Sequence, residues 1–177
     1  MSLRISSRAA SFGESVIRQM TRVARETDAV NLAQGFPDFP APDLLKQAAC
    51  DAIQADQNQY AITWGVPRLR TALADKYRTL YGMDVDPDRD VIVTCGATEA
   101  MAAVYLSSFN PGDEVLVPEP YYENYGPDAV LAGASPVYVQ LSAPDYRLDP
   151  ALFAERITDR TRAIVITSPN NPTGRVF

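Results

Sequence analysis

A three-layer α/β/α domain with a mainly parallel sheet is the fold class that this sequence predicts, on three observations. Short apolar, β-branched runs recur at Val91-Ile92-Val93-Thr94, Glu114-Val115-Leu116-Val117, Val137-Tyr138-Val139 and Ala163-Ile164-Val165-Ile166-Thr167, and runs of this kind read as strands. Segments of helical spacing separate them, so strand and helix alternate four times; helical crossovers join parallel strands. Three of the strands run straight into Gly96, Pro118 or Pro169, residues that end a ladder in a turn.

Composition bounds the function. With 177 residues, 46% of them hydrophobic and 21% charged, the chain has the make-up of one ordinary globular unit that can bury a core. A formal net charge of -6 with no cluster of Lys or Arg disfavours a nucleic-acid partner, because nothing would neutralise phosphates in bulk. Cys50 and Cys95 lie far apart without a CxxC spacing, which suggests neither a zinc site nor a disulfide framework and fits a reduced, cytoplasmic protein. No stretch is long enough to span a bilayer, and Met1-Ser2-Leu3-Arg4 leads into no apolar run. Histidine is absent, which removes Ser-His and Cys-His nucleophile pairs and most transition-metal sites. Lysine occurs only at Lys46 and Lys76.

Taken in order, residues 11–25 place Val16, Ile17, Met20, Val23 and Ala24 on one helical face. Asn31 to Pro42 holds three prolines and Gly35, so it is an irregular loop, either pinned by Phe36 and Phe39 or brought close to a ligand at Gly35. A helix capped by Asp43 is expected to bury Leu45, Ala48, Ala49, Ala52 and Ile53. Pro67 suits the first turn of the next helix, whose stripe of Val66, Leu69, Leu73, Tyr77 and Leu80 stops at Gly82. Lys46 and Lys76 read as solvated surface residues. After the first strand comes a nearly all-apolar helix from Ala100 to Phe109. Further on, a short helix opens near Pro127 and ends at Gly133, and a last one, capped by Asp149-Pro150, buries Leu152, Phe153 and Ile157.

Three strand ends carry candidate chemistry. Gly96-Ala97-Thr98 lies where a strand turns into a helix, a place where backbone N–H groups and a hydroxyl can hold phosphate, or simply a tight turn. It lacks the spacing of a Walker loop or of GxGxxG. Tyr121-Tyr122 offers a flat face or core packing, and Asn171 offers an amide or belongs to a local turn. Together they suit a planar, phosphorylated ring bound at the carboxyl edge of the sheet, where open α/β sheets take ligands.

Gln34-Gly35-Phe36-Pro37-Asp38-Phe39, Asn58-Gln59-Tyr60, Gly96-Ala97-Thr98-Glu99-Ala100, Pro120-Tyr121-Tyr122 and Pro169-Asn170-Asn171-Pro172-Thr173-Gly174 occur in the order and approximate spacing of a known family. The chain resembles the N-terminal half of a class I/II aminotransferase of fold type I, dependent on pyridoxal 5'-phosphate. Its Gln-Gly-Phe-Pro-Asp-Phe loop is similar to that of kynurenine, glutamine and methionine aminotransferases. The resemblance implies that residues 1–42 form an arm and loop and that 43–177 begin the large, cofactor-binding domain, incomplete here. It implies that Ala97 and Thr98 hold the cofactor phosphate with Gly96 making the turn, that Tyr122 stacks on the ring, and that Asn171 donates to the ring oxygen and faces the substrate. Tyr60 would reach the phosphate of a partner subunit in a homodimer, and Gly35 would sit beside the substrate carboxylate.

The family's Schiff-base lysine, the aspartate that pairs with the ring nitrogen and the arginine that grips substrate all lie beyond Asn171 in its members, and neither Lys46 nor Lys76 stands in the lysine's motif. The chain is therefore expected to be a fragment, inactive alone, of an enzyme that passes an amino group from an amino acid to a 2-oxo acid by a ping-pong route. A carbon–sulfur lyase of the same fold, and a non-catalytic dimerising or ligand-sensing module, remain alternatives.

Overall fold

Strand β1 (Glu114–Glu119) is the central strand of the sheet in the computed structural model, which describes residues 4–177. It pairs in parallel with β2 (Ser135–Gln140) from Glu114↔Ser135 to Glu119↔Gln140, and on its other side with β3 (Thr161–Ile164). The sheet order is β2-β1-β3. Successive side chains of a strand point to opposite faces. Val115 and Val117 accordingly enter a cluster with Tyr105, Phe109, Ala129 and Ala134, while Leu116 packs with Val139, Leu141 and Phe153 on the other face. The first cluster lies under α5 (Gly96–Ser108) and α6 (Tyr125–Ala132), the second under α7 (Pro150–Ala154). Helices on both faces of a parallel sheet make the three layers that the sequence predicts, and they explain why β1 is apolar without alternation.

Side chains fasten the start of β1. The Glu114 carboxylate accepts from Thr158 Oγ1 at 2.6 Å and from Arg160 Nε at 2.9 Å, while Glu114 N donates to Arg160 O at 2.9 Å. The turn that delivers β3 is thereby tied to the strand it joins. The hydrogen bond from Thr158, with Arg160 adding to it, holds the carboxyl of Glu114 below the usual glutamate range.

Two units divide the described chain, one formed by residues 95–177 with the segment up to Val16, the other by residues 17–94. The second contains most of α2 (Val16–Glu26), then α3 (Asp43–Gln54) and α4 (Pro67–Tyr81). A one-turn helix, α1 (Ser7–Ala10), belongs to the first. Within α4 only Arg70 and Ala74 are buried. Arg70 donates through Nε to Gly65 O at 3.1 Å and through Nη1 to Pro87 O and to Asp88 Oδ1, the last at 2.8 Å. Gly65 has φ +102°, and a Cβ there would stand 2.6 Å from Val93 Cγ2.

Several expectations are corrected. Val91–Thr94 joins no ladder among the described residues; its Val93 N–H goes instead to Trp64 O at 3.0 Å. A strand needs a neighbouring strand, and apolar composition alone does not supply one. The last strand is 161–164 rather than 163–167, and it is an edge, with Ile164 and Ile166 exposed. Ladder bonding ends at Val165 N to Leu116 O, beyond which Thr167 bonds to a tyrosine side chain instead. The first long helix starts at Val16, not Ser11, and Val16, Met20 and Val23 on it are exposed. Pro42, not Asp43, holds the cap position of α3; Asp43 is in the first turn, 2.6 Å from Lys46 Nζ. Leu45, Ile53, Val66, Leu69, Tyr77 and Leu80 are exposed, and Ile157 lies beyond the end of α7 and is exposed too. Lys76 is exposed, as the sequence predicts. Gly82 and Gly133 do end α4 and α6 in the left-handed conformation, and Asp149 caps α7 by accepting from Ala151 N.

Candidate cofactor and substrate site

The parallel pairing of β1 with β3 puts their carboxyl ends on one edge of the sheet. The chain leaves β1 through Pro120-Tyr121-Tyr122 and leaves β3 through the loop 168–174. Helix α5 opens at Gly96, whose φ of +81° is a backbone conformation that only glycine adopts freely. Apart from its chain neighbours and its own helix backbone, nothing lies within 4 Å of where a Cβ on Gly96 would stand.

Thr98 is exposed, and its hydroxyl oxygen accepts from Asn124 Nδ2 at 3.0 Å. The same nitrogen lies 3.4 Å from the Tyr122 hydroxyl. Thr98 and Tyr122, separate in sequence, thus meet through one amide. Glu99, an acid in the first turn, would repel a phosphate if it faced one; its carboxylate instead accepts from Cys95 N, the residue just before the helix. A side chain reaching back in this way satisfies a backbone donor that the helix leaves over.

The two tyrosines after β1 have separate fates. Tyr121 stacks on Tyr138 of β2, with ring centroids 5.2 Å apart and planes at 18°. Burial, reinforced by the hydrogen bond to Tyr138, pushes its hydroxyl pKa upward, so Tyr121 is a packing residue. Tyr122 is half-buried and meets Tyr125 edge-on at 5.8 Å. Tyr125 also shares a 2.7 Å hydrogen bond with Thr167 Oγ1, at the entry to the 168–174 loop. Tyr125 therefore touches both the ring and the strand end.

The paired asparagines also divide. Asn170 is 4% exposed; its Nδ2 donates to Pro120 O at 3.2 Å and to Thr173 Oγ1 at 2.9 Å. Its backbone closes the turn, N to Arg175 O and O from Gly174 N, both at 2.7 Å. Asn171 is exposed and has no side-chain hydrogen bond among the described residues. One asparagine builds the loop and the other stands exposed on it.

Gly35 and Tyr60 belong to residues 17–94. A Cβ on Gly35 would meet nothing within 4 Å, and Tyr60 is fully exposed. Asn124, Tyr125 and Asn170 were not singled out by sequence. The signal available for the first two was their place directly after Tyr122 in Tyr-Tyr-Glu-Asn-Tyr. Asp128 Oδ2 on α6 and the Tyr105 hydroxyl on α5 are buried without a hydrogen-bond partner among the described residues. Burial raises the carboxyl pKa of Asp128, and burial together with the nearby Asp128 pushes Tyr105 up to about 12.

The donor set fits a phosphorylated aromatic ring. Thr98 keeps its own proton, Ala97 and Thr98 place their backbone N–H groups in the first turn of α5, Tyr122 presents a ring, and Asn171 an uncommitted amide. No helix among the described residues is long and apolar enough to cross a membrane.

Comparison with known proteins identifies the family. Residues 27–177 match the family model described as aminotransferase class I and II. The chain is 46% identical over 174 residues to a probable N-succinyldiaminopimelate aminotransferase, DapC, of Mycobacterium tuberculosis, covering 97% of this chain and 44% of that protein. It is 40% identical over 172 residues to human kynurenine–oxoglutarate transaminase 1, covering 90% of this chain and 41% of the relative. The solved structure of N-succinyldiaminopimelate aminotransferase from M. tuberculosis superposes with a TM-score of 0.93 at 43% identity, over 98% of this chain and 46% of that one. The chain thus spans less than half the length of the relatives it matches. These are pyridoxal 5'-phosphate enzymes of fold type I, and the chain belongs to the aminotransferase class I and II family.

Proposed function

We propose that the intact protein is an aminotransferase, moving an amino group from an amino acid to a 2-oxo acid, and that this chain supplies one wall of its cofactor site. The observation that carries the reading is the meeting of Thr98 and Tyr122 through Asn124, at the sheet edge where β3 delivers the unengaged Asn171. In this reading Ala97 and Thr98, with the turn at Gly96, hold the cofactor phosphate. Tyr122 lies against the ring, and Asn171 donates to the ring oxygen and orients the substrate. Gly35 lies beside the substrate carboxylate. Tyr60 serves the partner subunit of a homodimer, and its full exposure on this chain supports that role. Pyridoxal phosphate supplies the electron sink for a carbanion at the substrate's α-carbon.

The two lysines support placing the amine chemistry outside these residues: Lys46 pairs with Asp43 on α3, and Lys76 lies on the exposed surface of α4. The chain alone is therefore inactive in this reading. Residues 1–42 are its arm and loop, and 43–177 the first part of the cofactor-binding domain. Cys50 and Cys95 are free and exposed, which supports a reducing, cytoplasmic setting. The test is turnover by the intact protein with amino acid alone and with an added 2-oxo acid. Dependence on the 2-oxo acid is expected; release of ammonia and a 2-oxo acid without an acceptor would instead make the protein a lyase.

A further inference from the structure

Thr98 is the one side-chain hydroxyl in the 96–98 turn, and a hydroxyl carries one proton and two acceptor lone pairs. The direction of that proton decides whether the group donates to an anion or is spent on the protein. Asn124 Nδ2 lies 3.0 Å from Thr98 Oγ1, and an amide nitrogen only donates. One lone pair of Oγ1 is filled, and the proton has no acceptor among the described residues. The second N–H of the same amide points to the Tyr122 hydroxyl at 3.4 Å, so its oxygen too is approached by a donor.

Asn124 stands at the cap position of α6, where asparagine commonly accepts from the helix's own first N–H groups. It makes no such bond here. Its side chain is turned to residues 98 and 122 instead of capping its own helix.

We propose that Asn124 is a positioning residue that presets the Thr98 hydroxyl as a donor to phosphate, so that the site distinguishes phosphorylated pyridoxal from pyridoxal. The proposal rests on reading residues 96–98 as the phosphate cradle. Without Asn124 the hydroxyl turns freely and is solvated, and part of its donation is lost. The amide also sets the order of events: Thr98 is ready before the cofactor arrives, and binding then costs less reorganisation.

The experiment titrates the intact protein, freed of cofactor, with pyridoxal 5'-phosphate and separately with pyridoxal. Asn124→Ala is expected to weaken pyridoxal phosphate by about five- to tenfold, the size of one neutral hydrogen bond. Pyridoxal affinity is expected to change less than twofold, which also shows that the variant is folded. Thr98→Val is expected to weaken pyridoxal phosphate by about ten- to a hundredfold, as a bond to a charged group would. Adding Asn124→Ala to Thr98→Val should then cost nothing more, because Asn124 acts through that hydroxyl.

Equal losses for both ligands, or losses that add in the double variant, would make Asn124 merely structural and overturn the proposal. Tighter binding of pyridoxal phosphate by Asn124→Ala would also overturn it, since the amide oxygen would then be what faces Thr98. If Thr98→Val leaves pyridoxal phosphate binding unchanged, the cradle reading fails and this proposal fails with it. Should Asn124→Ala not fold, the isosteric Asn124→Asp decides: a carboxylate accepts the Thr98 proton, so pyridoxal phosphate must weaken while pyridoxal is retained.

Discussion

The side-chain amide of Asn170 crosses fifty positions of sequence to donate to the carbonyl of Pro120 at 3.2 Å, while Asn171 beside it makes no such bond. Asn170→Ala should therefore cost about 1–3 kcal/mol of stability, since it removes a buried amide and leaves the half-buried Pro120 carbonyl unpaired. Asn171→Ala should leave stability within about 0.5 kcal/mol, as an exposed site does. In the intact protein it should instead shift the bound cofactor's absorption and its pH titration. Urea unfolding and absorption titration of the two variants check this contrast. An unchanged titration with Asn171→Ala would remove the ring-oxygen role.

Tyr60 is fully exposed, so removing its hydroxyl should leave folding untouched. Tyr60→Phe is expected to weaken cofactor retention by about tenfold in a dimeric intact protein, the scale of a hydrogen bond to a charged group. Dialysis against cofactor-free buffer, followed by absorbance, measures it; full retention would deny Tyr60 the partner's phosphate.

Two carboxylates should give stability opposite dependences on pH. Glu114 is held below its ordinary range by Thr158 and Arg160, so its contribution is present at neutral pH and disappears as acidification passes through its lowered pKa. Glu114→Gln should lower the urea midpoint at pH 7, and the deficit should shrink below about pH 4. Asp128 is raised by burial, so ionising it costs stability as pH rises above the unfolded carboxyl range. Asp128→Asn should accordingly raise Tm at pH 7 by about 2–4 °C, with the gain fading toward about pH 4. Melting curves of both variants at the two pH values check the signs.

Gly65 combines φ of +102° with a Cβ position 2.6 Å from Val93 Cγ2. Gly65→Ala should cost more than about 2 kcal/mol, from backbone strain and overpacking together. Adding Val93→Ala should recover only part, because the side chain is relieved and the backbone is not. Urea unfolding of the single and double variants measures the recovery.

Much of the sheet was legible because β1 and its helices are local patterns that agree with their surroundings. The Asp149 cap and the Gly82 and Gly133 stops are decided within a few residues, and they are where the sequence puts them. The stripe on α4 was misread for a different reason. Spacing shows which side of a helix is apolar, not what covers it, and Leu69, Tyr77 and Leu80 stand exposed while Arg70 is buried. Val91–Thr94 has strand composition, but a ladder depends on a second segment that composition does not name. The candidate residues Thr98, Tyr122 and Asn171 announce themselves by position in turns that follow apolar runs. Asn124 and Asn170 do not, because their roles lie in bonds to residues 26 and 50 positions away.

Val115, Leu116 and Val117 are fully buried in the central strand, with a core on either face, and the first two are paired on both sides. Their amides open to solvent only when the whole unit comes apart. Hydrogen–deuterium exchange should therefore be slowest at 115–117, and those amides should report the global unfolding free energy of the sheet unit. Exchange at Ile166, past the end of β3, should be governed by local opening instead. Protection rising from the 168–174 loop inward to β1 would trace the order in which the floor beneath the site loosens. The exposed loop would be first to give way, and the central strand last.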